Sequence, residues 1–354
     1  MKKISRFLLG PVACALLLGA CNPMDSPSRL NAVRLNEHSV SIAGDSSFLL
    51  YITATPKRYT NGDVSVTWES SKPQVVTVSE TGSLEALKAG FATITVTVVS
   101  RDVTLQDSCK VMVTSGDIYF PDPVFEAYCV SQFDANHDGA VSTGEAAGVE
   151  IVTCRSMGIG SLEGIEFFPS LFLLECEGNA ISSLDLSYNL DLYQLTCYEN
   201  NLASLNLEQN SKLHTLYCNK NALTSLDVSG CDSLRFLICY ENNISNLNVT
   251  HNTVLSFLEC SLCNLSSLDL SQNIALESLS CDNNSLTQLD LSNNRALIEV
   301  FCTENLLTVL DVSNNSALNT LRCYSNPSLG ELWLRTGQSI DDLGKDPGTE
   351  IKYK

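Results

Sequence analysis

The chain has 354 residues, of which 15 are cysteines, and a formal net charge of −19. Its length predicts two or more folded units. The negative charge argues against nucleic acids and anionic lipid surfaces as partners and suits an extracytoplasmic protein or one that binds cations.

The first 21 residues predict export and a lipid anchor. The basic segment MKKISR precedes the apolar stretch FLLGPVACALLLGA, which is too short to span a bilayer comfortably. The stretch ends in Leu18-Gly19-Ala20-Cys21, which resembles the lipobox of bacterial lipoproteins and implies acylation of Cys21. The alternative is an ordinary cleavage site followed by a chance cysteine. We expect a lipid-anchored protein of the outer membrane, facing the periplasm or the outside, with a linker at 22–27.

Residues 28–114 predict an all-β sandwich. Short runs such as FATITVTVVS alternate with period two and are separated by turn residues. The stretch VTWESSKPQVVTVSETGSLEALKAGFATITV resembles the group 2 bacterial Ig-like domains. The resemblance implies that Trp68 is a core residue and that the domain is a spacer or a modest adhesion module. Cys109 has no disulfide partner within this domain.

Residues 115–150 predict a small helical cap that contains a calcium loop. Asp122 and Pro123 suit the N-cap and first position of a helix over 123–133. The next twelve residues, DANHDGAVSTGE, fit the calcium loop of an EF-hand, with Gly139 at the bend and a short exiting helix at 143–149. A polar turn that matches by accident is the alternative. Because no second EF-hand is visible, we expect one structural calcium rather than a switch, with oxygen ligands from Asp134, Asn136, Asp138, Ala140 (its carbonyl), Ser142 and Glu145.

The region 151–335 repeats every 21 residues, and 336–354 is expected to form a C-terminal cap. The pattern L-x-x-L-x-C-x-x-N-x-L predicts a leucine-rich-repeat solenoid with one parallel strand per coil and leucine and cysteine in a shared core. The repeat resembles the internalin-type repeats of bacterial surface proteins. Together with the other segments it resembles surface lipoproteins of Bacteroidetes, which implies binding or adhesion but no particular ligand. The repeated cysteines are Cys176, Cys197, Cys218, Cys239, Cys260, Cys281, Cys302 and Cys323.

The ladder of cysteines predicts buried free thiols that act as small hydrophobic side chains. In-register parallel strands hold these thiols parallel and slightly too far apart for disulfides, and a linear ladder does not converge as four zinc ligands must. Cys263 and Cys231 lie off this ladder, in two columns that are otherwise asparagine; both are turn positions, where Asn bonds the backbone and tolerates unusual φ. Cys129 and Cys154 are the best disulfide candidates, although the sequence does not decide whether they pair.

The outward residues of the strands form the candidate binding surface. An exposed patch on consecutive coils, rimmed by Glu199, Glu241 and Glu259, predicts a protein or glycan partner. The alternative is an ordinary strand surface, because aromatic residues favour strands. The patch consists of Tyr198, Tyr217, Phe236, Ile238, Tyr240 and Phe257, with Phe301 and Tyr324 further along.

Another face carries a column of Asp and Asn. We interpret it as local turn hydrogen bonds rather than a cation site. Its members are Asp185, Asn206, Asp227, Asn248, Asp269, Asp290 and Asp311.

The sequence predicts a monomeric, lipid-anchored binding protein rather than an enzyme. None of the four histidines accompanies a nucleophile in a recognisable motif, and neither a glycine-rich phosphate loop nor metal-site spacing is visible. A passive structural or envelope-assembly component without a soluble ligand is the alternative function.

Overall fold

The computed structural model describes residues 30–55, 64–100 and 103–354. The chain divides into two compact units: Met1–Tyr119 with Ser142–Gly144, and Phe120–Val141 with Glu145–Lys354. The predicted signal peptide, Cys21 and the linker lie outside the described residues. Within those residues, no helix has both the length and the apolar character that a membrane crossing requires.

The first unit is an Ig-like β domain. Strands β2, β9, β8 and β5 form a sheet in that order, while β3, β7 and β6 form a second sheet and β1 pairs with β4. The strand bounds are β1 Ala32–Leu35, β2 Ser39–Ile42, β3 Ser47–Leu49, β4 Ile52–Thr55, β5 Val64–Ser70, β6 Val76–Val78, β7 Ser83–Ala86, β8 Gly90–Ser100 and β9 Val103–Val113.

Period-two alternation places one side of each strand in the core of this domain. Ile94 and Val96 on β8 and Val111 on β9 are buried. Trp68 packs against this core, which confirms its predicted role. Gly82 lies beneath the indole at a positive φ of 81°, where an added Cβ would come within 2.9 Å of the Trp68 ring.

The second unit is a solenoid preceded by a helix. Helix α1 begins as predicted, because the Asp122 carboxylate accepts hydrogen bonds from the Val124 and Phe125 amides and Pro123 occupies the first turn. The bounds that follow β9 are α1 Pro123–Phe133, α2 Thr143–Ala146, β10 Ile151–Thr153, a 3₁₀ helix Ile165–Phe167, β11 Leu173–Glu175, β12 Gln194–Thr196, β13 Thr215–Tyr217, β14 Leu226–Asp227, β15 Phe236–Ile238, β16 Leu247–Asn248, β17 Phe257–Glu259, β18 Ser278–Ser280, β19 Glu299–Phe301, β20 Val309–Asp311, β21 Thr320–Arg322, β22 Glu331–Leu334, β23 Asp342–Gly344 and β24 Glu350–Tyr353.

A ten-stranded parallel sheet runs along the solenoid in the order β10-β11-β12-β13-β15-β17-β18-β19-β21-β23. The register advances by one coil per strand, so Leu195 lies beside Leu216 and Leu216 beside Leu237. The predicted C-terminal cap contributes β23 to this sheet, where Thr320 pairs with Asp342. The tail therefore builds one more coil, although its sequence no longer follows the 21-residue interval.

The core of the solenoid consists of the leucine and cysteine columns. In the coil of Cys197, the side chains of Leu195, Cys197 and Leu202 are fully buried. All cysteines among the described residues are free and buried, including Cys129 and Cys154. Burial is the main cause that raises the pKa of the ladder thiol Cys218 well above its usual range.

Two asparagine columns bond consecutive coils together. In the first column, the Asn242 side-chain amide donates to the carbonyls of Cys218 (3.1 Å) and Cys239 (2.9 Å), while its Oδ1 accepts from the Leu223 amide (3.0 Å). In the second column, Asn252 donates to Val228 (2.9 Å) and Cys231 (3.0 Å), but its buried Oδ1 has no partner among the described residues. The predicted bonding of Asn to the backbone is confirmed.

The predicted unusual φ at these asparagines is wrong. The left-handed conformation falls one residue before the first column, at positions such as Glu199 (54°), Lys220 (53°) and Glu241 (53°). The backbone turns there while its amide still bonds the next coil, as between Lys220 N and the Tyr240 carbonyl at 2.9 Å. The asparagine then bonds in a conformation with negative φ.

Candidate binding surface

The outward residues of the ten-stranded sheet, called here the strand face, include the predicted patch. Tyr217, Phe236, Ile238 and Phe257 are half-buried on the neighbouring strands β13, β15 and β17. Tyr217 pairs in register with Ile238 and Phe236 with Phe257, whose ring centroids are 6.4 Å apart. These four side chains form one contiguous cluster, which we call the apolar cluster.

The other predicted patch residues lie apart from one another. Tyr198 and Tyr240 occupy the same column, but the buried Asn219 separates them. Phe301 lies on β19, two strands beyond Phe257, and Tyr324 follows β21 with 43% of its surface exposed. Thr196, which pairs in register with Tyr217, is only 5% exposed.

An aromatic stack at the start of the strands extends the apolar cluster and was missed from the sequence. Phe172, Tyr193 and His214 stack with ring centroids 4.8 and 4.6 Å apart. His214 lies 5.4 Å from the Phe236 ring, so the stack joins the apolar cluster. Burial, followed by the charge of Arg235, lowers the pKa of His214. The sequence does contain a signal for this stack, because Phe172, Tyr193 and His214 occupy the same position in three consecutive coils.

Two basic side chains near the strand face, Arg155 and Lys220, are paired with carboxylates, whereas Arg235 has no ion pair among the described residues. Arg155 pairs with Glu175 and, at 2.9 Å, with Glu177. Lys220 pairs with Glu199 at 2.8 Å.

Glu259 differs from these paired acids. Its side chain is half-buried beside Phe257, and its carboxylate has no hydrogen-bond or ion-pair partner among the described residues. Burial, with a smaller contribution from the charge of Asp282, raises the pKa of this carboxyl. The strand face thus holds a partly desolvated carboxylate beside its apolar cluster.

The Asp and Asn column on the other face makes local turn bonds, as interpreted from the sequence. The Asp185 carboxylate accepts from the Ser187 amide, and Asp269 likewise accepts from Ser271. Both are bonds to the residue two positions on, the geometry of an Asx turn.

The predicted calcium loop is folded around its own carboxylates. Asp134 accepts from the amides of His137 (2.7 Å) and Gly139 (2.9 Å), and Glu145 accepts from those of Ala135 (3.0 Å) and Asn136 (3.2 Å). In the described part of the chain, no three or more His, Cys, Asp or Glu side chains converge closely enough to hold a metal ion.

The other predicted calcium ligands include Asp138, which is hydrogen-bonded within the loop, and Ser142. Asp138 accepts from the Asn136 side chain (2.8 Å) and the Ala140 amide (3.0 Å). Ser142 groups with the first unit. The donor set of Asp, Asn, Glu and a carbonyl is one of hard oxygen ligands, which suits calcium.

Comparison with known proteins identifies both kinds of domain. Residues 30–111 match the bacterial Ig-like domain (group 2). The functional domain of InlJ from Listeria monocytogenes, described as including a cysteine ladder, is 31% identical with a TM-score of 0.50. That match covers 61% of this chain and 55% of the other, so the chain spans about half of that protein's length.

Other solved structures are less similar. The leucine-rich-repeat protein LIC12759 from Leptospira interrogans is 18% identical with a TM-score of 0.49, covering 59% of this chain and 67% of that one. Internalin C2 from L. monocytogenes is 19% identical with a TM-score of 0.43, covering 66% and 94%. No curated protein matches the chain. The second unit is a leucine-rich-repeat solenoid with a cysteine ladder, similar to the InlJ domain.

Proposed function

We propose that this is a lipid-anchored cell-envelope protein that binds a partner protein through its strand face. The apolar cluster of Tyr217, Phe236, Ile238 and Phe257 carries the proposal, because half-exposed aromatic side chains are the usual centre of a binding interface. The Ig-like domain and the similarity to an internalin domain support a surface protein of the adhesion kind.

The binding proposal is tested with the chain lacking its signal peptide. Purified extracellular proteins and a glycan array are screened against it, and each hit is measured again with the triple variant Tyr217→Ala, Phe236→Ala and Tyr240→Ala. We expect this variant to lose protein binding while its thermal unfolding stays unchanged.

The matched control removes three exposed apolar side chains outside the sheet, by Tyr188→Ala, Leu190→Ala and Ile274→Ala. We expect the control to bind like the parent. Equal binding by the parent and the strand-face variant would refute the proposed surface, and hits confined to the glycan array would favour a glycan partner.

The lipid anchor is a separate part of the proposal and rests on the sequence around Cys21. Cys21→Ser is expected to move the protein from the membrane fraction to the soluble fraction of its host. Retention of this variant in the membrane fraction would contradict anchoring through Cys21.

We also propose that the 134–145 loop binds one structural calcium ion. The loop supplies the side chains of Asp134, Asn136, Asp138 and Glu145 and the Ala140 carbonyl at the spacing such a site requires. The bond from the Gly139 amide to Asp134 supports this proposal, because it shapes the loop before any ion binds. Calcium would supply charge that holds these oxygens together and stiffens the cap.

Calorimetric titration tests the calcium proposal. We expect calcium to bind the parent and to raise its thermal stability, whereas Glu145→Gln weakens binding by removing a charged ligand. Asp341→Asn, which removes an exposed carboxylate at the other end of the solenoid, is the control. Absence of calcium binding by the parent would refute the proposal.

A further inference from the structure

The strand face contains a strip of small side chains beside the apolar cluster. Strand β18 presents Ser278 and Ser280 outward, between Phe257 on β17 and Phe301 on β19. Neighbouring parallel strands are about 4.8 Å apart, so the two phenylalanine strands are separated by about 10 Å. Serine side chains rise less far from a sheet than phenylalanine rings, which leaves room above β18 for one side chain of a partner.

Two carboxylates border this strip beside Ser280, and a third, Glu299 on β19, lies beside Ser278 and accepts from its hydroxyl (3.5 Å). Glu259 is the register neighbour of Ser280 on β17. Asp282 follows β18, and its Oδ1 accepts from the Thr303 amide (2.6 Å) and hydroxyl (2.8 Å) while its Oδ2 accepts from Ser280 (3.3 Å). Asp282 is therefore held in place, and the Glu259 carboxylate stands next to it without a partner among the described residues.

This arrangement has an electrostatic cost that a partner could remove. A half-buried carboxylate without a cation is poorly solvated, and a second carboxylate nearby repels it. Of the basic side chains nearby, Lys220 is already paired with Glu199, and Arg322 with Asp342. Arg235 has no ion pair among the described residues, but it precedes the start of β15, whereas Glu259 ends β17. A cation from another molecule would neutralise the pair of acids at the strip.

Resting on the proposed function of the strand face, we propose that an arginine side chain of the partner protein docks above Ser280, between its register neighbours Glu259 and Phe301, and pairs with Glu259 and Asp282. Arginine suits this place better than lysine, because its planar guanidinium forms paired hydrogen bonds to carboxylates and stacks on aromatic rings. The partner is therefore a protein that presents arginine within an otherwise apolar contact.

A peptide probe tests this inference on the chain lacking its signal peptide. Fluorescence anisotropy measures binding of a labelled twelve-residue peptide of arginine, leucine and serine, and of the same peptide with citrulline, the neutral isostere, in place of arginine. We expect the arginine peptide to bind about tenfold more tightly or better, because citrulline brings no positive charge to the two carboxylates.

Two variants locate the contact, and a third serves as the control. Glu259→Gln is expected to abolish the preference for arginine over citrulline, and Ser280→Tyr to weaken binding of the arginine peptide by filling the strip. Glu208→Gln removes the same charge from an exposed position outside the sheet and is expected to keep the preference. Thermal unfolding checks that each variant is folded.

The outcomes separate this inference from the proposed function. Equal binding of the two peptides by the parent, no binding of either, or an unchanged preference in Glu259→Gln would overturn the arginine contact. If the variant of Tyr217, Phe236 and Tyr240 nonetheless fails to bind a partner protein that the parent binds, the strand face remains the proposed binding surface without the arginine contact. If that variant keeps its partner, the proposed surface itself fails.

Discussion

Replacing Cys263 with asparagine should stabilise the solenoid, because Cys263 interrupts the first asparagine column. At other coils the asparagine donates two hydrogen bonds and accepts one, as Asn242 does. The Cys263 thiol contacts the Cys239 carbonyl (3.2 Å) and the Cys239 thiol, and it supplies neither the second donor nor the oxygen acceptor of an asparagine amide. The buried Ile244 amide, which the Oδ1 of an asparagine at this position would reach, finds no acceptor in the described residues.

The expected gain in the free energy of unfolding follows from the hydrogen bonds that an asparagine at position 263 would restore. Each neutral hydrogen bond adds about 0.5–1.5 kcal/mol, and leaving a buried donor unsatisfied costs about 1–3 kcal/mol. We therefore expect Cys263→Asn to raise the free energy of unfolding by about 1–3 kcal/mol. The side chain should fit, because Asn242 occupies the equivalent place between Cys218 and Cys239.

The second column supplies a matched comparison. Cys231→Asn would donate to the carbonyls of the preceding turn, but its Oδ1 would be a buried acceptor without a partner, as at Asn252 and Asn210. The gain and the desolvation cost are of similar size, so we expect a change within about 1 kcal/mol of zero. The comparison separates the asparagine Oδ1 bond from any general effect of removing a thiol.

Urea unfolding measures both variants in a Trp68→Phe background. The chain has two tryptophans, so the remaining fluorescence then reports from Trp333 in the solenoid. A Cys263→Asn variant no more stable than its parent, or a Cys231→Asn variant stabilised as much, would refute the reasoning.

Burial raises the pKa of Glu166 to about 7, so the stability that its protonated carboxyl contributes is present below pH 4.5 and lost as the pH rises through 7. The parent should therefore lose up to about 3 kcal/mol of unfolding free energy between pH 5 and pH 8, and Glu166→Gln should remove this loss. Equal pH profiles for parent and variant in urea unfolding would contradict this. Leu262 is exposed and has a φ of 55°, so Leu262→Gly should stabilise the protein by about 0.5–1 kcal/mol. Ala222 has no positive φ, so Ala222→Gly should destabilise the protein. Urea midpoints that shift in the same direction for both variants would refute this reasoning. The ladder thiols should resist a thiol reagent at pH 8 until guanidinium unfolds the chain, because burial raises their pKa and blocks access; mass spectrometry that finds Cys197 modified in the folded protein would contradict this.

The sequence predicts the solenoid well because the same physical requirement recurs in each coil. A coil cannot bury its apolar side alone, so Leu195, Cys197 and Leu202 need counterparts 21 residues away, and these are visible as columns. Helix α1 was predictable for a local reason, since Asp122 and Pro123 satisfy its first turn by themselves. The binding role of the strand face and the calcium site remain predictions.

Features that depend on how neighbouring coils meet were not predictable in the same way. The stack of Phe172, Tyr193 and His214 lies at the start of the strands, where alternation no longer says which way a side chain points. The tail forms a further coil by backbone pairing of β21 with β23, which needs no repeated side chains. The left-handed residues vary in type, because a hydrogen bond of the backbone to the next coil holds them.

The same distinction explains why the strand face is the place to look for function. Core columns must stay apolar and the asparagine columns must bond the backbone, so their residues report the fold. Outward strand positions have no such requirement: one column runs from Tyr217 through Ile238, Glu259 and Ser280 to Phe301. A half-buried carboxylate in that column does not help the solenoid to fold, since its desolvation raises its pKa and opposes burial. Its presence is better explained by a cationic group that a partner brings to the surface.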